Sequence, residues 1–595
     1  MKTIRIGGAC AFYGDSSVAP TQLIEAGCDY IALDYLAEAT MSVLGSMIAH
    51  NPKLGYATDF TEWVWKDNLR ALKETGCKVV TNAGGVNPHA CVERMEAIAR
   101  EAGLSFKIAV IDGDDLKPRL EVIADDREMF TGAPFPHKDA VVTANAYLGA
   151  TPIAKALEMG ADVVITGRCV DSALTLGPLI HEFAWGPDDL DQLAQGSLAG
   201  HVIECGAQGS GGLFTDWEDV PDWAHIGYPI AEVRADGTFV ITKPERSGGL
   251  VSEAVVAEQI LYEVGDPQAY MLPDVVCDFA TTRVRQVGEN RVEVTGTRGY
   301  APSGRYKVSV THADGHRCIA FMPVVGRDAA KKAMRQADAL VTRVEEMLRA
   351  RNIGPFRTRR TELLGAEASY GANSRIHDAR EVICKLALEH DDPAAFKVFL
   401  REMDAPITSM SVGSTGWFGA RPQAQPVMRV FSTTIAREDV PARVTLGDRT
   451  ETVVPTAPAA PFTPATIDRA ADGESAAHGT QEVALIDLAW ARSGDKGDAF
   501  NIGVIARRPE YLPHIRAALT EEAMRTYFAH EFEGAKDPKV LRYELPGLNA
   551  LNLHFLDALG GGQFASLRLD PLAKGKAQQL LDFPVKVPAE LIPAR

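Results

Sequence analysis

Short apolar runs rich in β-branched residues alternate with stretches of helical period through the first 180 residues. TIRIG at 3–7, CDYIALD at 28–34, KVVT at 78–81, and residues 104–110 and 162–166 read as strands. Residues 18–26, 60–75, 145–159 and 173–183 read as helices. The alternation predicts an α/β main domain with a mostly parallel sheet and right-handed crossovers. Farther on, 230–243 reads as a hairpin turning at Asp236 and Gly237, 250–262 as a strongly apolar helix, and 278–325 as a β-rich insertion. Residues 326–350 then read as a long amphipathic helix, 358–364 as a strand and 379–390 as a helix. Periodicity fades across 454–480, where Pro, Ala, Thr and Ser dominate. The expected division is therefore a main domain over 1–450, a linker over 451–481 and a small α+β domain over 482–590. In that last domain 483–489, 500–506, 540–545, 551–555 and 566–570 read as strands, and 512–518 and 520–530 as helices.

A chain of 595 residues exceeds what one hydrophobic core organises, which fits this division. The formal net charge of −18 disfavours nucleic acid or an anionic membrane as a general partner, since both are bound by clustered Lys and Arg. No apolar run approaches the ~20 residues of a membrane span, and the expectation is a cytoplasmic protein. Nine cysteines without CxxC spacing fit reduced thiols better than a disulfide framework or a zinc knuckle.

The candidate chemistry gathers where predicted strands turn into helices. In ADVVITGRCVDSALTLGP, at 161–178, a buried strand reaches a tight turn at Gly167 carrying Arg168, Cys169, Asp171 and Ser172. A guanidinium beside a helix start makes an anion pocket, and Cys169 there is a candidate nucleophile. Asp34 ends an earlier strand and is a candidate proton-transfer group, with N-capping as the competing reading. TNAGGVNPHAC places Asn82, Gly84 and Gly85 at a similar turn, with Asn87 as a cap and His89 as a candidate acid or base. ECGAQGSGG offers Glu204 as a catalytic candidate and Gly209, Ser210 and Gly211 as backbone donors to a ligand, with Cys205 most simply a buried thiol. It forms neither a dinucleotide fingerprint nor a Walker A loop. ARSGDKGD, read as a loop between two strands, is either a solvated turn or a loop from which Arg492, Ser493 or Lys496 reaches across to an anionic ligand of the main domain or a neighbouring subunit. No ligand spacing demands a metal, and no cofactor is expected.

IRIGGACAFYGDS, DYIALDYLAEATM, TNAGGVNPHAC, VITGRCVDSALTLGP, ECGAQGSGG and ARSGDKGDAFNIGV together resemble the acyclic terpene utilisation protein A (AtuA) family in its two-domain form. The resemblance runs from Thr3 to about Arg443 and from about Glu482 to Pro588. It implies a ferredoxin-like fold for the C-terminal domain and a setting in the catabolism of citronellol, geraniol and related branched acyl-CoA intermediates. It carries no catalytic residue onto this chain. The expected function is an enzyme acting on a branched or isoprenoid-derived acyl-CoA or carboxylate by lyase or hydratase chemistry, with the CoA thioester as substrate. The alternatives are a cysteine-dependent thioester hydrolase and a non-catalytic subunit or scaffold of an acyl-CoA enzyme complex. A homo-oligomer is expected because residues 250–262 and the C-terminal domain offer apolar surfaces.

Overall fold

The computed structural model describes residues 2–376, 378–455, 458, 460–464, 467–476, 479–563 and 565–592. The early alternation yields β1 (Thr3–Cys10), β2 (Tyr30–Leu33), β3 (Lys78–Thr81), β4 (Ile108–Asp112), β5 (Val141–Ala146) and β6 (Val163–Thr166). Five of these pair in parallel in the order β1-β2-β3-β6-β4. They form the centre of an eleven-stranded sheet. The expectation of a mostly parallel sheet holds for that centre alone. Beyond β1 the strands Ile230–Arg234, Phe239–Thr242, Arg291–Thr295 and Arg283–Gly288 pair antiparallel, as do Ala442–Leu446 and Arg449–Val453 beyond β4. Parallel pairs need a crossover, whereas tight connections such as Arg234 to Thr238 return the chain as a hairpin.

The helix predicted over 145–159 is present from Thr151 to Glu158, but its first two residues, Asn145 and Ala146, end the strand β5. Its small residues carry little periodicity of their own, and pairing with the long strand Arg305–Val325 decides the matter. That strand centres a second sheet with Thr358–Leu364, Glu381–His390 and Gln425–Ala436. The segment read as a helix over 379–390 is thus a strand. It lies between two neighbours, with Val382, Cys384, Leu386 and Leu388 packed on the helix Ala329–Arg349 and Lys385 and Glu389 buried in ion pairs on the other face, and apolar Ile383, Leu386 and Ala387 also match helical spacing.

The C-terminal domain is a four-stranded antiparallel sheet in the order Ala489–Lys496, Ala499–Ala506, Ala550–Leu556, Lys539–Leu545, backed by short helices. The supposed loop of 491–498 is mostly strand, with the turn confined to Gly497 and Asp498, and 566–570 forms no strand. Of the expected linker, 456, 457, 459, 465, 466, 477 and 478 lie outside the described residues, while Phe462 and Ile467 pack on Val276.

This sheet lies directly on the helix Glu253–Leu261. A Cβ at Gly503 would stand 2.5 Å from Leu261 Cβ, and one at Gly494 would strike Glu263 and Tyr262. Asn501 Nδ2 donates to Leu261 O at 2.7 Å, and Asn552 Nδ2 to Val264 O at 2.8 Å. The two apolar surfaces from which self-association was inferred therefore cover one another within a single chain.

Candidate active site

Because β1, β2, β3, β6 and β4 run parallel, the residues that follow them share one sheet edge, where ligands of open α/β sheets bind. Asp34 follows β2, Asn82 follows β3, Arg168 follows β6 and Asp114 follows β4. Asn82 Nδ2 donates to Asp34 Oδ1 at 2.5 Å, and Leu36 N reaches the same oxygen at 3.2 Å. Burial, then the negative charge of Asp171, raise the Asp34 carboxyl well above the usual carboxylate range, against the pull of Arg168. Arg168 is itself buried; its Nη1 donates to Cys169 O at 2.9 Å and Asp171 Oδ1 at 2.8 Å. Its Nε has no partner among the described residues. Asp114 accepts from Arg168 N at 2.9 Å and Asn145 Nδ2 at 2.8 Å, and burial pushes its carboxyl up to about 7. Gly167 is required at this turn because any side chain would strike Asp114.

The second sheet supplies another wall. Arg168 stacks on the Tyr147 ring, 4.0 Å from its centroid, while Tyr147 OH donates to Glu38 Oε1 at 2.5 Å. Lys307 Nζ meets the same oxygen at 3.0 Å. Burial works against ionisation of Glu38, but Lys307 and Arg168 outweigh it and hold this carboxyl well below the usual range. Tyr147, Lys307 and Ser309 were missed from sequence because Tyr147 directly follows β5 and the other two sit on its partner strand, whose pairing no local motif announces.

A third wall comes from 201–205 and the domain interface. His201 Nδ1 lies 3.1 Å from Glu204 Oε1, and His201 Nε2 is buried with no partner among the described residues. Burial raises the Glu204 carboxyl despite His201, and Asp171 adds to the rise. Lys496 projects here from the end of its C-terminal strand. Burial alone would lower its ammonium; Glu263, Tyr270, Asp171 and Glu38 together hold it well above the ordinary lysine value. Its side chain is nevertheless 54 % exposed. An ammonium that feels four main-domain groups, lies 3.9 Å from Glu263 Oε2 and stays open to water stands in a recess where the domains meet. Two raised carboxyls, a guanidinium and an interdomain ammonium thus share one partly wet site, an arrangement that can hold an anion and exchange protons.

Of the residues singled out from sequence, Asp34, Asn82, Arg168, Glu204 and Lys496 come together. His89 does not join them: it is 57 % exposed and pairs with Asp112 Oδ2 at 2.8 Å. Cys169 is buried against Thr166 Oγ1 at 3.6 Å, and burial pushes its thiol up to about 12. Burial and then Glu204 raise Cys205 as well. A thiolate nucleophile therefore draws no support from this geometry. Ser172 precedes the helix Ala173–Phe183 without a side-chain cap bond and packs against Gly200. Gly84 is needed for packing, since a Cβ there would stand 2.5 Å from Thr166 O; Gly85 has a φ of 56°. Gly209 and Gly211 are likewise closed in by Val202 O and the Leu250 backbone, and Ser210 Oγ donates to Ala207 O at 3.1 Å and to Gly227 O. Arg492 serves the domain interface, donating to Leu213 O at 2.8 Å and Gln208 Oε1 at 2.5 Å, and Ser493 Oγ donates to Ala573 O at 2.7 Å.

A separate surface cleft of about 760 Å³, lined in part by Arg5, Lys243, Arg246 and Arg291, shares no residue with this recess. Among the described residues no three His, Cys, Asp or Glu side chains are grouped as metal ligands, and no helix is long and apolar enough to cross a membrane.

Comparison with curated proteins and with solved structures gives no match. The family model described as acyclic terpene utilisation family protein AtuA matches residues 4–446, which span all three walls of the recess except Lys496. A second, the AtuA ferredoxin-like domain, matches residues 483–586, which supply Lys496. With both models matched in order, the chain belongs to the acyclic terpene utilisation family AtuA, in its form with a ferredoxin-like C-terminal domain.

Proposed function

We propose that this protein is an enzyme of acyclic terpene or branched-chain acid breakdown that performs lyase or hydratase chemistry on an acyl-CoA thioester. The observation that carries the reading is the pair of buried carboxyls raised above the usual range, Asp34 and Glu204, both within reach of the charge of Asp171 in its pair with Arg168. A carboxyl raised by burial holds its proton more tightly and can donate it, and one hydrogen-bonded to an imidazole can accept one. In the hydration direction, Glu204, backed by His201, takes a proton from water as its oxygen bonds to Cβ of an unsaturated thioester. The electrons of the double bond move to the thioester oxygen, where Arg168 stabilises the negative charge. Asp34 then delivers its proton to Cα. In the cleavage direction the same base removes the proton of a β-hydroxyl, the Cα–Cβ bond breaks, and Asp34 protonates the enolate that leaves. Both directions use one base, one acid and one oxyanion group, which is the inventory of the recess.

The test is incubation of the purified protein with a panel of branched acyl-CoA thioesters, read by mass spectrometry for consumption and bound ligand. Arg168→Ala should abolish turnover of whichever thioester is consumed. Unchanged turnover and affinity in that variant would refute the site assignment.

A further inference from the structure

Lys496 ends the strand Ala489–Lys496, and its ammonium has one ion-pair contact among the described residues, Glu263 Oε2 at 3.9 Å. That is too long for a hydrogen bond, so its donors are uncommitted. Glu263 is engaged elsewhere: its Oε1 holds Lys574 Nζ at 2.7 Å, and Lys574 also meets Asp495 Oδ1 at 3.2 Å and Tyr262 OH. The strand end is fixed independently, because Asp498 Oδ1 accepts from Leu559 N at 3.0 Å and Gly561 N at 2.9 Å across the turn. The ammonium is thus delivered to the recess by a rigid backbone and left without a close partner, while the nearest carboxylate is occupied by a second lysine.

We propose that Lys496 is a substrate-binding cation lent to the site by the C-terminal domain, and that Lys574 is its positioning residue, keeping Glu263 from capturing it. Without Lys574, Glu263 would have Lys496 as its sole nearby cation, and the gap of 3.9 Å would close to a direct charge-assisted contact. The recess would then lose a cation while keeping every residue of its main-domain walls. Lys496 would hold a carboxylate or the oxygen of a thioester, the same chemistry seen from two substrates. This inference rests on reading the recess as an acyl-group site, and the two are separable by experiment.

The full-length protein would be titrated calorimetrically with 3-methylcrotonate, a branched carboxylate, and assayed separately with 3-methylcrotonoyl-CoA. We expect carboxylate affinity to fall about 10²-fold in Lys496→Met, the scale of losing one preorganised donor, and Lys496→Arg to retain most of it. Lys574→Met should weaken binding in the same way, and adding Glu263→Gln should restore it to within about 5-fold of wild type, since the two residues are coupled. A purely structural Lys574 predicts the opposite, a double variant at least as impaired as the single one and with a lower Tm. Wild-type binding in Lys496→Met or Lys574→Met, no restoration in the double variant, or no carboxylate binding at all would each overturn the inference. If the carboxylate pattern holds and the thioester is untouched, the lyase or hydratase reading fails alone. If the thioester is consumed and Lys496→Met keeps its kcat/KM, the inference fails alone.

Discussion

Asp34 and Glu531 are carboxyls almost equally removed from water, at 8 % and 2 % exposure, yet one is raised above the usual carboxylate range and the other held below it. Glu531 lies under the C-terminal sheet with Lys576 Nζ at 2.5 Å, His530 Nε2 at 3.2 Å and Arg568 in direct contact. Burial opposes its charge, but His530, Lys576 and Arg568 overcome it and hold the carboxyl down at about 2. Asp34 has an amide and a backbone N–H as donors, faces the like charge of Asp171, and is raised. The residue type and the burial are shared. What differs is whether nearby cations outweigh burial and like charge, which they do at Glu531 and do not at Asp34, the condition that suits Asp34 to the proposed proton transfer.

The sharpest way to break this contrast is to remove the poised groups. Asp34→Asn and Glu204→Gln preserve shape but cannot exchange a proton, so each should reduce turnover by about 10²–10⁴-fold. Circular dichroism should show the fold intact; turnover near wild type in either variant would place the chemistry elsewhere. On the scaffolding side, Arg568→Met strips a buried carboxylate of one partner and should destabilise by about 3–5 kcal/mol, measured by urea unfolding.

The two carboxyls should also tilt stability oppositely with pH. Glu531 has a folded pKa of about 2, below its unfolded value of ~4.3. The unfolded chain therefore binds more protons between these values, and the contribution of Glu531 is complete above ~4.3 and lost as pH falls toward 2. Asp34 is raised in the folded state, so its contribution is lost as pH rises instead. Glu531→Gln should flatten the acid limb of a Tm-against-pH curve, and Asp34→Asn should leave that limb in place.

Smaller effects probe how the domains are held together. Gly494→Ala pushes a methyl into Glu263 and Tyr262 and should destabilise by about 1–3 kcal/mol, with activity falling as Lys496 is displaced. Cys169→Ala should change turnover least of all, because its thiol is buried and raised to about 12. A large loss of activity there, with stability unchanged, would restore the cysteine reading.

The strands β1, β2, β3 and β6 were legible because each is a short β-branched run closed by a turn, a signal that needs no partner. Asp34, Asn82 and Arg168 were legible for the same reason, since each stands at such a turn, and Glu204 because it opens a glycine-rich run, although it caps the end of the helix Leu190–Ile203 and follows no strand. The helix read over 379–390 failed because Ile383, Leu386 and Ala387 also fit helical spacing, and the buried Lys385 and Glu389 of the second face find their partners only across strands. In ARSGDKGD the sequence marked an unusual run without dividing its labour. The fold assigns Arg492 and Ser493 to packing, Gly494 to close approach, Gly497 and Asp498 to the turn, and leaves Lys496 facing the recess.

By itself, then, the chain determined its local elements, its division into two domains of family type, and the polar groups on one sheet edge. Those follow from periodicity and turn chemistry within a few residues. Only the tertiary structure decided that Tyr147 and Lys307 on a second sheet and Lys496 on a second domain close the same recess. It also decided which buried carboxyls are neutralised by cations, because charge pairing depends on distances across hundreds of residues of chain, which no local pattern encodes.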